Sequence, residues 1–170
     1  VLATPALIGL PRSISDEVVA RAGARFSLER AQVVLSASHT HCGPAVRKNL
    51  AVLYDFAEAD RLRVEAYGAT LVERLVEVIG LALADLAPAT VSVGHGAAAF
   101  AVNRREPTLD GVRIGENPSG PVDRDVPVVK VAGADGRLRA VLFGYACHNT
   151  TLGADFLRLG GDYAGYAQAA

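Results

Sequence analysis

Ala31-Gln32-Val33-Val34-Leu35-Ser36-Ala37-Ser38-His39-Thr40-His41-Cys42-Gly43-Pro44 passes from an apolar run into a polar loop that carries two histidines. Residues 31–37 are too few for a helix that buries a face, and they are bounded by polar residues. A short apolar run of this kind predicts a buried parallel strand. Residues 38–44 form the loop after it. In extended backbone, residues i and i+2 point to the same side, so His39 and His41 are expected on one face. Neutral imidazole is a common ligand for zinc-like ions. Gly43-Pro44 turns the chain away and leaves the site open. The triplet fits two surface histidines in a loop equally well, and alone it does not separate the two.

The segments on either side supply the frame. Residues 2–10 are apolar around Pro5 and read as a strand end running into a loop. Ser13 is placed as an N-cap, with Asp16 and Glu17 in the first turn where the helix dipole favours acid. That helix is expected to stop near Gly23. Residues 58–86 repeat Leu62, Ala66, Ala69, Val72, Val76, Ile79 and Leu83 at three- and four-residue spacing, as one buried helical face requires. Pro88 ends that helix. Residues 90–102 read as a strand with bulge points at Gly94 and Gly96. Residues 103–121 read as a long polar loop, and such loops tend to be functional. Residues 126–132 and 138–146 are two strands joined through Asp135-Gly136, a hairpin signal. Residues 147–161 form a loop opening at His148, and residues 162–170 a final helix. The fold class is therefore α/β, a mixed sheet with flanking helices, and residues 1–170 read as a single partial domain.

Composition sets the outer bounds. The chain has 170 residues, 51% hydrophobic and 21% charged, with a formal net charge of -1. This is a globular balance and not that of a disordered chain. It gives no electrostatic reason to expect nucleic acid as a partner. No apolar run reaches the roughly 18–20 residues that span a bilayer, since Glu73, Arg74, Glu77 and Asp85 interrupt the best candidate. Val1 stands where a natural chain has Met, and the last helix carries no stop signal. These features lead to the expectation that both ends are cut, with sequence missing upstream of Val1 and beyond Ala170.

His148 adds a second imidazole site at a second strand end, followed by Asn149-Thr150-Thr151. Ligands in open α/β sheets collect at the carboxyl ends of strands. Histidines from two such ends can form a zinc site with a water as nucleophile. His95, the remaining histidine, lies within a Gly-rich strand and reads as structural or surface. Asn103-Arg104-Arg105 follows another strand end; Arg binds a carboxylate or oxyanion by its planar fork, or forms a solvated basic turn. Asp162 either caps the last helix or orients a metal-bound histidine. Cys42 and Cys147 fit no zinc-ribbon or thioredoxin spacing and read as buried free thiols, with a disulfide or a metal role as the alternative. The chain has no GxxxxGK[ST], GxGxxG, GxSxG or HExxH motif.

Taken in order, these segments resemble the N-terminal domain of the neutral/alkaline, non-lysosomal ceramidase family. Ser36-Ala37-Ser38-His39-Thr40-His41-Cys42-Gly43-Pro44 resembles its [ST]-[AS]-[ST]-H-T-H-S-G-P motif. Val102-Asn103-Arg104-Arg105 resembles its NR motif. Cys147-His148-Asn149-Thr150-Thr151 and Gly161-Asp162-Tyr163-Ala164-Gly165 resemble its H-x-T and S-D-x-x-G segments. The resemblance implies a zinc-dependent hydrolase of an amide bond, ceramide in the family, acting on a small-molecule or lipid substrate. It implies His39 and His148 as zinc ligands, with His41 and Arg104 as catalytic groups. It also implies Asn103 and Thr150 in substrate binding, and Asp162 as a carboxylate behind a ligand. Peripheral membrane contact through the substrate, and a secreted or periplasmic location, follow from the same resemblance. The family's remaining ligands, a Glu and a Tyr, and its active-site Ser lie downstream, so residues 1–170 alone are expected to be inactive. Cys42 in place of the usual Ser, Cys147 before the second His, and the continuation Arg105-Glu106-Pro107 depart from the pattern. They indicate a divergent bacterial-type relative whose substrate is not fixed as ceramide.

Two other readings use the same residues. An amidohydrolase barrel also carries HxH after a strand, but long βα repeats follow there and the Asp135-Gly136 hairpin opposes it. A non-catalytic Cys/His metal-binding module would use Cys42, His41, Cys147 and His148.

Overall fold

A computed structural model describes all of residues Val1–Ala170. Within the span read as one partial domain, the chain forms two compact units. The first comprises Val1–Leu86 and Asn149–Ala170, the second Ala87–His148.

The first unit is built on two helices and a short parallel strand pair. Strands β1 (Leu2–Ala3) and β2 (Val34–Leu35) pair in parallel, Leu2 with Val34 and Ala3 with Leu35. The pairing continues past β2 as a string of amide bonds, Ser36 N to Ala3 O and Ser38 N to Pro5 O. The apolar run at 31–37 is thus parallel as expected, but only two of its residues are strand. It starts as a single 3-10 turn at Arg30–Gln32. It is also buried on one side only: Val33 is 1% exposed and Val34 54%.

Helix α1 (Arg12–Phe26) follows Pro11, whose fixed φ suits a helix entry, and no side chain caps it. Ser13 lies inside the helix and is not its cap. Nor does the helix stop at Gly23. A Cβ there would lie 2.9 Å from the Leu28 carbonyl, so Gly23 serves close approach of the chain that follows, and the stop is Ser27 in left-handed conformation at φ 57. Helix α2 (Glu58–Ala84) packs on α1. Ile14, Val18 and Ala22 of α1 share a core with Leu71, Val72, Leu75, Val76 and Ile79 of α2. Ala3, Leu7, Val33 and Val46 complete it. The expected stripe on α2 is right at Val72, Val76 and Ile79. It fails at Leu62, Ala66 and Ala69, which are exposed, Leu62 to 64%; the buried face of α2 begins at Gly68 and Leu71. Arg47 links the elements at the rim through Glu17 at 3.3 Å and Glu65 at 3.0 Å. Neither helix is long and apolar enough to cross a membrane.

The second unit is antiparallel. Strands β3 (Ala89–Ala97), β6 (Asp125–Gly133) and β7 (Leu138–Phe143) form one sheet in the order β3-β6-β7. Gly136, at φ 77, makes the expected hairpin between β6 and β7. The β3–β6 register runs unbroken from Ala89–Gly133 to Ala97–Asp125, so Gly94 and Gly96 are not bulges. Residues 103–121 are not a loop. They contain a hairpin of β4 (Asn103–Thr108) and β5 (Gly111–Asn117), turning at Asp110-Gly111 with Gly111 at φ 125. That Asp-Gly pair is the same turn signal that marks β6–β7. The class is α/β, with parallel and antiparallel pairing held in separate sheets and not in one mixed sheet.

Helix α3 (Asp162–Ala169) returns to the first unit and packs Ala164 inward.

Candidate metal centre

Three imidazoles converge. The ligand nitrogens of His39, His41 and His148 all lie within 4.8 Å of one another, and all three side chains are exposed. The His39 and His41 rings meet edge to face with centroids 5.2 Å apart.

Convergence does not come from an extended backbone, as the sequence suggested. His39 adopts left-handed backbone at φ 62. Histidine is among the few residues enriched there, but a non-glycine residue in this region still costs about 1–3 kcal/mol. Several contacts hold it. His39 N donates to Leu7 O at 2.9 Å, and Leu7 is buried. His39 Nδ1 lies 2.7 Å from Ile8 O. A carbonyl only accepts, so Nδ1 is the donor in this contact, and Nε2 is the ring atom that would face an ion. That is the usual arrangement of a metal-ligating histidine. Gly43 holds the return of the loop: a Cβ there would meet Ala6 O at 3.1 Å and Leu7 Cα at 3.3 Å.

His148 is peptide-bonded to Asn149, and Asn149 is fixed inside the first unit. Thr40 and Asn149 form an isolated parallel bridge. His41 N donates to Asn149 O at 3.3 Å, and Asn149 Nδ2 donates to Ser38 O. Asn149 Oδ1 accepts from Ala164 N at 3.3 Å. Thr40 Oγ1 donates to Gly160 O at 3.0 Å and accepts from Cys42 N at 3.2 Å. Thr40, Asn149 and Asp162 are the buried polar residues of the chain, at 0%, 2% and 1% exposure.

Asp162 is also left-handed, at φ 54. Its Oδ1 accepts from Thr151 N at 3.1 Å, Thr151 Oγ1 at 2.6 Å and Tyr163 N at 2.7 Å. Its Oδ2 accepts from Leu152 N at 3.0 Å. Burial pushes its carboxyl up, but the bonds from the Thr151 hydroxyl and the amides of Tyr163, Leu152 and Thr151 outweigh that. They hold it below the ordinary carboxylate range. Asp162 therefore acts on the loop after His148, through Thr151 and Leu152.

The other residues singled out from sequence lie as follows. Thr150 is half-buried between Asn149 and Thr151. Asn103 opens β4; its amide donates to Pro121 O at 3.0 Å and its oxygen accepts from Arg105 N at 3.0 Å. Arg104 is half-buried where the β4–β5 register shifts, and a bulge of this kind re-aims a side chain. His95 is exposed on β3 and pairs with Asp125 at 2.9 Å. Cys42 and Cys147 are both free thiols, but only Cys42 is buried as expected and Cys147 is half-buried; neither belongs to the imidazole cluster.

The donor set fits a zinc-like ion. At about 2.0–2.1 Å per nitrogen, tetrahedral ligands sit about 3.4 Å apart. The ligand nitrogens, all within 4.8 Å of one another, approach that spacing. The Ser38 hydroxyl, directly before His39, is buried without a hydrogen-bond partner. A buried orphan of this kind marks a place for a bound water or ligand group. Sequence reasoning placed Ser38, Thr40 and Asn149 within the histidine motifs but gave them no role, because nothing in the sequence shows that they are buried.

No family model matches the chain, and no curated protein matches it. Solved structures do. Neutral ceramidase from Pseudomonas aeruginosa aligns with a TM-score of 0.71 at 24% identity, over 98% of this chain and 26% of that one. A ceramidase complexed with C2 aligns at 0.74, again at 24% identity over 98% and 26%. The fold is that of a portion of the ceramidase structure. The chain spans about a quarter of the length of those proteins.

Proposed function

We propose that this chain carries part of the zinc site of an amide hydrolase of ceramidase type, with N-acylated lipid amides as the substrate class. The observation that supports it most directly is the meeting of His39, His41 and His148 on a fold shared with neutral ceramidase. The antiparallel β3–β6–β7 sheet does not follow the βα repeat of an amidohydrolase barrel. The all-imidazole cluster gives no support to a Cys/His module.

In this reading His39 Nε2 and His148 hold the ion. Zinc, when bound, supplies Lewis-acid polarisation of an amide carbonyl and activation of water. His41 orients the substrate or the water beside the ion, and its nitrogen is close enough to serve as a third ligand. Arg104 is assigned to the developing oxyanion through its guanidinium fork, and Asn103 and Thr150 to substrate contacts. Asp162 holds the segment behind His148. The remaining ligands and the leaving-group machinery are assigned to sequence outside residues 1–170. The solved relatives, about four times longer, support that assignment.

The test is release of fatty acid from an N-acylsphingosine, and from a simple fatty amide, by a polypeptide carrying this chain with its downstream sequence. The reading expects hydrolysis that a chelator abolishes and zinc restores, and that His39→Ala removes. Undiminished hydrolysis in the chelated protein would overturn it. Cleavage of the fatty amide alone would keep the chemistry and remove ceramide as the substrate.

A further inference from the structure

We infer that Thr40 and Asn149 are positioning residues of the imidazole site. They form a buried polar clamp whose side chains set the spacing of the three histidines. The inference rests on the metal reading above and goes beyond it, because neither residue is among the groups assigned a role there.

The argument begins with placement. Thr40 lies between His39 and His41, and Asn149 lies directly after His148. Joining Thr40 to Asn149 therefore joins every imidazole of the cluster to one point. The two residues are bridged in parallel, and His41 N donates to Asn149 O. Both side chains are shut away from solvent, at 0% and 2% exposure. Burying a hydroxyl and a carboxamide is unfavourable unless their hydrogen bonds are satisfied. Here they are, and each bond has a positional effect.

Asn149 Nδ2 reaches back to Ser38 O, the carbonyl just before His39. Its Oδ1 accepts from Ala164 N on α3. The carboxamide thus spans from the His39 loop to the last helix, with His148 on its own backbone. Thr40 Oγ1 donates to Gly160 O, two residues before Asp162, and accepts from Cys42 N, just after His41. Gly160 N donates to Cys42 O at 2.9 Å, closing the ring. His39, His41 and His148 are exposed, and the buried clamp fixes their backbones.

Isosteric changes test this. Thr40→Val keeps shape and removes both hydroxyl bonds; Thr40→Ser keeps the hydroxyl. Asn149→Asp keeps the acceptor for Ala164 N and turns the donor toward Ser38 O into a second acceptor. Each variant is compared with Val72→Ala, which weakens the remote α1–α2 core without touching the site. In the polypeptide that carries this chain with its downstream sequence, zinc affinity is measured by chelator competition, and the cobalt-substituted absorption spectrum reports ligand geometry. Helical circular dichroism confirms the fold of the metal-free forms.

The inference expects Thr40→Val and Asn149→Asp to lose about 10- to 100-fold in zinc affinity, the usual effect of removing a group behind a ligand. The cobalt spectrum should shift in both. Thr40→Ser should stay within about threefold of wild type, and Val72→Ala should bind zinc unchanged although it melts lower. Wild-type affinity and spectrum in folded Thr40→Val and Asn149→Asp overturn the clamp while leaving the metal reading in place. Equal losses in Val72→Ala also overturn it, since the effect would then be general stability. If wild type binds no zinc, or His39→Ala binds it as wild type does, the metal reading falls and the clamp falls with it.

Discussion

Asp162→Asn removes one negative charge from a buried position and leaves nearly every atom in place. Asparagine tolerates left-handed backbone, so φ 54 adds no strain. The carboxylate accepts four hydrogen bonds, three at Oδ1 from Thr151 and Tyr163 and one at Oδ2 from Leu152 N. In the variant, an amide oxygen takes the Oδ1 position and an NH2 group faces Leu152 N–H, donor against donor. One charge-assisted bond is lost, about 1.5–3 kcal/mol, and one buried donor pair is left unsatisfied, about 1–3 kcal/mol. Relief of the desolvated charge offsets part of this, giving a net loss of about 2–4 kcal/mol. For a chain of this size that is a fall of roughly 5–15 °C in Tm.

The pH dependence gives a second reading of the same site. The native Asp162 carboxyl is held below its ordinary value. Its stabilisation is therefore fully present above the unfolded value of about 3.9, and is lost as pH falls through the lower native value. Asparagine does not titrate. The gap between wild type and variant should be constant from neutral to weakly acidic pH and should narrow below that window. Urea unfolding followed by circular dichroism at several pH values measures it. A variant within about 0.5 kcal/mol of wild type at neutral pH would refute the reasoning, as would a gap that persists unchanged into acid.

Three further outcomes follow from the same packing. Gly23→Ala should destabilise by about 1–2 kcal/mol despite alanine's better helix propensity, because its Cβ would press on Leu28 O at 2.9 Å; a raised Tm would contradict this. Ile79→Ala empties a fully buried position on α2 and should cost about 2–5 kcal/mol in urea unfolding, without altering zinc affinity. Gly111→Val places a β-branched residue at φ 125 and should loosen the β4–β5 hairpin, seen as faster amide exchange in residues 103–117; unchanged protection would oppose it.

Much of this was legible in the sequence where one physical rule dominated. The α2 stripe at Val72, Val76 and Ile79 was visible because burial against one neighbour imposes helical spacing. The β6–β7 hairpin was visible because Asp135-Gly136 admits a tight turn. The β4–β5 hairpin was hidden by its charge: Arg104, Arg105, Glu106, Arg113 and Glu116 look like a loop. In the fold, Arg113 pairs with Glu106 across the strands at 2.8 Å. Gly23 looked like a stop because glycine commonly ends helices, and only the return of the chain at Leu28, just past the helix end, shows why it sits within one. The histidines could be flagged from spacing and strand ends. The clamp could not, because a buried Thr40 or Asn149 differs from a surface one only through partners 109 residues apart in sequence.

The central claim is that His39 and His148 share one metal ion. Zinc bound per chain at equilibrium by the polypeptide that carries this chain with its downstream sequence, as wild type, His39→Ala and His148→Ala, tests it most directly. The account predicts one zinc per wild-type chain and a large loss of affinity in each variant, with the fold retained. Zinc retained at wild-type affinity in both variants, or no zinc bound by the wild type, would contradict it.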